Sequence, residues 1–178
     1  MTSESLVILL AEDDEGHASL VQRNLRRAGI VNDIVHVKDG QEALDYIHCA
    51  GAHAGRVSAG RLLLLLDIKM PRVDGVEVLR QLKADDRTAM IPVIMLTTTD
   101  DPQEIQRCYE LGCSIYITKP VASDEFVEDI RRLGMFLSIV KVPREDEPLL
   151  ARITTQRQRF ASPFSLPAHS EGDKPLVT

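Results

Sequence analysis

Residues able to do chemistry follow four short apolar runs in this 178-residue chain. Glu12-Asp13-Asp14 follows residues 6–10, Asp67 follows 62–66, Thr97 ends the run that begins at 91, and Lys119-Pro120 comes just after 115–117. Three carboxylates gathered at one place repel one another and raise one another's pKa values. A hard divalent cation resolves that repulsion, and Mg2+ takes oxygen ligands while keeping several waters. Taken singly each feature is ordinary: an acidic pair after a strand is usually a solvated turn or a helix cap, and a lone Thr or Lys is usually structural. Their coincidence points to a site.

The elements that position these residues are legible in the pattern. Apolar runs at 6–10, 34–37, 62–66, 91–96 and 115–117 read as strands, the first, third and fourth nearly continuous in Leu, Ile and Val, as strands buried on both faces are. Helical spacing fills 15–28, 39–49, 74–84, 102–111 and 123–141. Asp39-Gly40-Gln41-Glu42 has the form of a capping box, and Asp101-Pro102-Gln103-Glu104 repeats it with Pro at the first helical position. Ser123 opens the last helix with Asp124 and Glu125 in its first turn, and Phe126, Ile130, Leu133, Leu137 and Val140 form its apolar stripe. Residues 50–60 read as a long surface loop. Five alternations of strand and helix predict an α/β fold, a parallel sheet covered on both faces. In such a sheet, sites form beyond the carboxyl ends of the strands, where all the residues above fall.

The constellation resembles the receiver domain of two-component response regulators. Asp67 lies in Leu66-Asp67-Ile68-Lys69-Met70-Pro71-Arg72-Val73-Asp74-Gly75, with Thr97 thirty residues on and Lys119 fifty-two residues on, in the family's order. Tyr116 and Lys119-Pro120 also fit its pattern. The resemblance implies a doubly wound, flavodoxin-like fold with strand order 2-1-3-4-5. It implies that Asp67 is the phosphoacceptor, and that Asp13, Asp67, the Lys69 backbone carbonyl and, less directly, Glu12 hold Mg2+. Thr97, Lys119 and Tyr116 become the phosphoryl-binding and switch residues, Lys69 and Thr99 tune the phosphoryl lifetime, and Lys119-Pro120 adopts a cis bond. The donor is a sensor histidine kinase. An aspartyl phosphatase would require an acid two positions after the nucleophile, where this chain has Lys69. A phosphorylation-independent adaptor remains the alternative, and the intact acid set with Lys119 argues against it.

Composition narrows the rest. The net charge is −6, and the segment from residue 144 onward is neutral with five acids and five bases, so the whole imbalance sits on the body. An acidic body with few aromatics is a poor binder of nucleic acid. No apolar run approaches the length of a membrane span. Cys49, Cys108 and Cys113 are odd in number and lack metal-ligand spacing, which fits packing residues in a reducing cytoplasm. The receiver unit is expected over 5–142 and a Pro-containing, flexible tail over 143–178, with no output domain. The loop before Arg61, the 69–79 segment and the long last helix look most like phytochrome-associated single-domain regulators. A bacteriophytochrome kinase and a homodimer through Met135, Phe136 and Ile139 are expected on that basis.

Overall fold

The computed structural model describes residues 6–56, 61–119 and 123–139. The elements alternate without exception: β1 (Leu6–Ala11), α1 (Glu15–Arg27), β2 (Ile34–Val37), α2 (Gly40–Ile47), β3 (Arg61–Leu66), α3 (Gly75–Ala84), β4 (Val93–Thr97), α4 (Pro102–Leu111), β5 (Ile115–Thr118) and α5 (Ser123–Ile139). The strands form one parallel sheet in the order β2-β1-β3-β4-β5. The side chains of Phe126, Phe136, Leu137 and Ile139, the Lys119–Pro120 bond and everything from residue 140 lie outside the described residues.

The period of two along each strand divides the core. Leu9, Leu62, Leu64, Leu66, Val93 and Met95 face α2, α3 and α4. Ile8, Leu10, Leu63, Leu65, Ile94 and Leu96 face α1 and α5, where they meet Val21, Leu25, Ile130 and Leu133. Leu62 to Leu66 are each at most 2% exposed, so a strand covered on both faces reads in sequence as an unbroken apolar run. Fully burying each such leucine is worth roughly 1.5–3 kcal/mol.

Strand β4 begins at Val93 rather than at Ile91. Pro92 has no N–H to donate, although its carbonyl accepts from Leu64 at 3.0 Å, and the Ile91 N–H is spent on Thr88. The capping boxes are half made. Asp39 accepts from the Glu42 N–H at 2.8 Å, but Glu42 reaches past the cap to the Lys38 N–H at 3.0 Å. Asp101 accepts from Gln103, while Glu104 Oε1 is buried without a hydrogen-bond partner. The loop after α2 is partly structured: a 3-10 turn spans Gly51–His53, and Arg56 stacks 4.3 Å over the Tyr46 ring.

Candidate functional site

Sheet register brings the chemically able residues together. Ala11 pairs with Leu66, so Glu12 and Asp67 leave adjacent strands side by side, and the Asp67 N–H donates to the Ala11 carbonyl at 3.0 Å. Thr97 pairs with Thr118, and the Lys119 N–H donates to the Thr97 carbonyl. Carboxylate oxygens of Glu12, Asp13 and Asp67 lie within 4.8 Å of one another. Glu12 and Asp67 are buried and Asp13 is exposed, so the cluster has an inner wall and an open side.

Lys119 crosses the sheet edge to join them. Its buried ammonium donates to Glu12 Oε2 and stands 3.4 Å from Asp67 Oδ2. Burial pushes the Glu12 carboxyl up, and the Lys119 ammonium partly offsets that rise. Asp67 is further oriented by the Ile68 N–H, which donates to Oδ1 at 2.8 Å. Asp14 plays a separate part: it caps α1 by accepting from the His17 N–H at 2.8 Å. The His17 ring turns its Nδ1 to 3.7 Å from Glu12 Oε1.

Thr97 is fully buried, and its Oγ1 accepts a long bond of 3.4 Å from the Thr99 N–H. Tyr116 lies under the same loop, with its hydroxyl donating to the Thr99 carbonyl at 3.0 Å. Burial, with Glu104 nearby, pushes that phenol upward, so it is a hydrogen-bond donor at neutral pH. The Thr99 hydroxyl is itself buried and unpartnered. The Lys69 side chain is exposed.

Sequence reasoning did not find what holds the Asp67 loop. A Cβ on Gly75 would stand 2.1 Å from the Asp67 carbonyl, and one on Gly40 would stand 2.0 Å from the Val73 carbonyl. Arg72 adopts φ +66°, and its guanidinium meets Asp39 at 2.5 Å. The glycine after Asp74 was a visible signal. The Arg72–Asp39 pair, 33 residues apart, had none.

The set fits a hard dication in having three clustered carboxylates with one open side. The family model of the response regulator receiver domain matches residues 8–131. The chain belongs to that family. The receiver domain is 36% identical over 131 residues to the probable methanogenesis regulatory protein FilR2 of Methanothrix harundinacea, covering 72% of this chain and 83% of that one. Among solved structures it is similar to a response regulator receiver domain from Rhodospirillum rubrum, at 48% identity and TM-score 0.71, covering 78% of this chain and 97% of that one. It is also similar to the phosphorylated cyanobacterial phytochrome response regulator RcpA, at 32% identity and TM-score 0.69, covering 77% and 97%. Receiver domains are signalling proteins, and this one has their sheet order. No helix among the described residues is long and apolar enough to cross a membrane.

Proposed function

We propose that this receiver domain accepts a phosphoryl group on Asp67 from the phosphohistidine of a sensor histidine kinase and changes its protein contacts in response. The observation that carries the reading is the Lys119 ammonium set against both Glu12 and Asp67. In the transfer, a carboxylate oxygen of Asp67 bonds to phosphorus as the phosphorus–nitrogen bond to the donor imidazole breaks. Lys119 is placed to balance charge on the phosphoryl oxygens, and Glu12, Asp13, Asp67 and the Lys69 carbonyl would hold Mg2+. When bound, that ion supplies further neutralisation of the transferring oxygens. Lys69 and Thr99, two residues beyond Asp67 and Thr97, are placed to tune how long the phosphoryl group survives.

Thr97 is one strand end from Asp67 and free to exchange its weak bond for one to a phosphoryl oxygen. Tyr116, hung from the Thr99 carbonyl, then carries the change to the face made by α4, β5 and α5. A groove of about 470 Å³ lies there, lined by residues 115–118 with Asp129, Arg132 and Leu133. Met135, 47% exposed on α5, supports a homodimer through that helix. The likeness to RcpA supports a phytochrome kinase as the donor and a receiver unit over 5–142 with the remainder as a tail. Neither DNA nor a membrane enters this reading.

The test is intact-mass measurement after incubation with acetyl phosphate and Mg2+. A hydroxylamine-labile phosphate on the wild-type protein, dependent on Mg2+ and lost in Asp67→Asn, is expected. An unmodified wild type, sampled fast enough to catch a short-lived adduct, overturns the phosphoacceptor role in favour of an adaptor.

A further inference from the structure

The edge strand β2 carries a histidine where its pattern calls for an apolar residue. Ile34 and His36 share a face by strand alternation, and Ile34 packs there against the layer of Ile8, Leu10 and Val21. His36 is half-buried, opposite Leu10 in the sheet register, and its Nε2 lies 2.7 Å from the backbone carbonyl of Glu12. A carbonyl oxygen only accepts, so Nε2 carries the proton and donates. The peptide held in this way is the one that joins Glu12 to Asp13. Its carbonyl belongs to the first acid and its N–H to the second, and the unit is planar, so fixing it constrains how both side chains leave the chain. The Glu12 N–H in turn donates to the Val37 carbonyl at 3.0 Å. Strand β2 therefore grips both backbone polar groups of Glu12, one through main chain and one through the His36 ring. Asp13 is exposed, so its aim is set by the backbone that carries it rather than by packing around the carboxylate. Asp67 is served differently, since the Ile68 N–H orients its carboxylate directly.

We infer that His36 is a positioning residue of the acidic centre: its Nε2–H fixes the peptide between Glu12 and Asp13 and so aims both carboxylates at a shared dication. The inference rests on the reading of Glu12, Asp13 and Asp67 as a Mg2+ centre. His36 is not itself placed as a ligand, because its Nε2 is spent on the carbonyl. Its effect is on angle. Mg2+ demands near-ideal octahedral geometry, so a turned carboxylate costs affinity even when every ligand is still present. Without the ring's donor the peptide gains freedom to rotate, and the exposed Asp13 is the acid released.

The experiment is calorimetric Mg2+ titration of the full-length wild type, His36→Leu, His36→Thr, His36→Gln, Val37→Ala and Asp13→Asn, with the Asp13 amide followed by NMR and a urea midpoint measured for each. Leu and Thr remove the donor, whereas Gln sets an amide nitrogen at about the reach of Nε2. Val37 is buried in the same strand, so Val37→Ala weakens β2 while leaving both bonds to Glu12 in place. Mg2+ affinity is expected to fall about tenfold in His36→Leu and His36→Thr, the scale of losing a group that orients a metal ligand. It should stay within about threefold of wild type in His36→Gln and Val37→Ala, well short of that loss. The Asp13 amide should shift in the Leu and Thr variants and return toward its wild-type position in His36→Gln. Unchanged Mg2+ affinity in a folded His36→Leu or His36→Thr overturns the inference alone. An equal loss in Val37→Ala overturns it too, by making the effect one of strand stability. A wild type that binds no Mg2+, or whose binding survives Asp13→Asn, overturns the metal-centre reading beneath it as well.

Discussion

With its ammonium on Glu12 and 3.4 Å from Asp67, Lys119 competes with any dication for the same carboxylates, and on the proposed reading it is also the cation that meets a phosphoryl group. Replacing it separates those effects. In Lys119→Met, Mg2+ should bind several-fold more tightly, because a like charge has been removed from a buried site. Phosphoryl uptake from acetyl phosphate should slow by about 10²-fold, the usual cost of losing one preorganised charge-stabilising donor. Calorimetry and a mass time course read the two independently. Thr97→Ala makes a different separation: phosphate should still be taken up, but amide shifts along α4 and β5 on phosphorylation should shrink. An undiminished shift pattern would remove Thr97 from the switch. These residues were legible in the sequence because each stands within a step or two of the end of an apolar run. That His17 follows the acidic cluster was visible too, but its approach to Glu12 depends on how the cap at Asp14 sets the first turn of α1.

The helices were readable from their Asp caps and apolar spacing, yet what ties them to the strands was hidden. Lys83, near the end of α3, sends its Nζ to the carbonyls of Ala89 at 2.8 Å and Ile91 at 2.7 Å, bracing the turn that leads into β4. Burial pushes that ammonium's pKa down. Nothing in a lysine at a helix end announces such a role, because the pairing partners are backbone atoms six and eight residues on. Lys83→Met leaves two carbonyls without a donor and should destabilise the fold by roughly 1–3 kcal/mol, measured by urea unfolding. On the same helix, the Arg80 guanidinium and the Gln81 amide hold the Glu77 carboxyl at about 2. Since the folded value lies below the unfolded one near 4.5, the stabilisation is complete above 4.5 and lost as pH falls toward 2. The pair is solvent-facing, so the effect is small. Arg80→Gln should lower the urea midpoint slightly at pH 6 and leave it unchanged near pH 2.

At the scale of the whole molecule, the sheet in the order β2-β1-β3-β4-β5 is parallel throughout, with a helix in each crossover. That alternation made the α/β class legible from Leu, Ile and Val runs, whereas the strand order was implied only by the family resemblance. The exception, β4, turned on Pro92 and its missing donor. Packing between distant elements was invisible in sequence. A Cβ on Gly134 of α5 would come 2.6 Å from the Ala28 Cβ at the end of α1, so those two helices approach as closely as they do because neither residue is larger. Gly134→Leu should therefore lower the thermal midpoint, with an overpacking cost of about 1–3 kcal/mol. A neutral outcome would show that α5 can shift outward freely.

The two sides of the Asp67 pocket are built to different standards. Toward α2 the loop is braced by backbone packed against Gly40 and Gly75, with no room for a Cβ at either, and by the Arg72–Asp39 pair. Toward α4 the opposing loop hangs from a 3.4 Å contact to Thr97 and one tyrosine hydroxyl, beside a threonine hydroxyl with no partner at all. A charge placed between a fixed jaw and a loose one moves the loose one. Under the proposed phosphoryl uptake, the direction in which a signal would leave this molecule is set in advance, by which wall is built to yield.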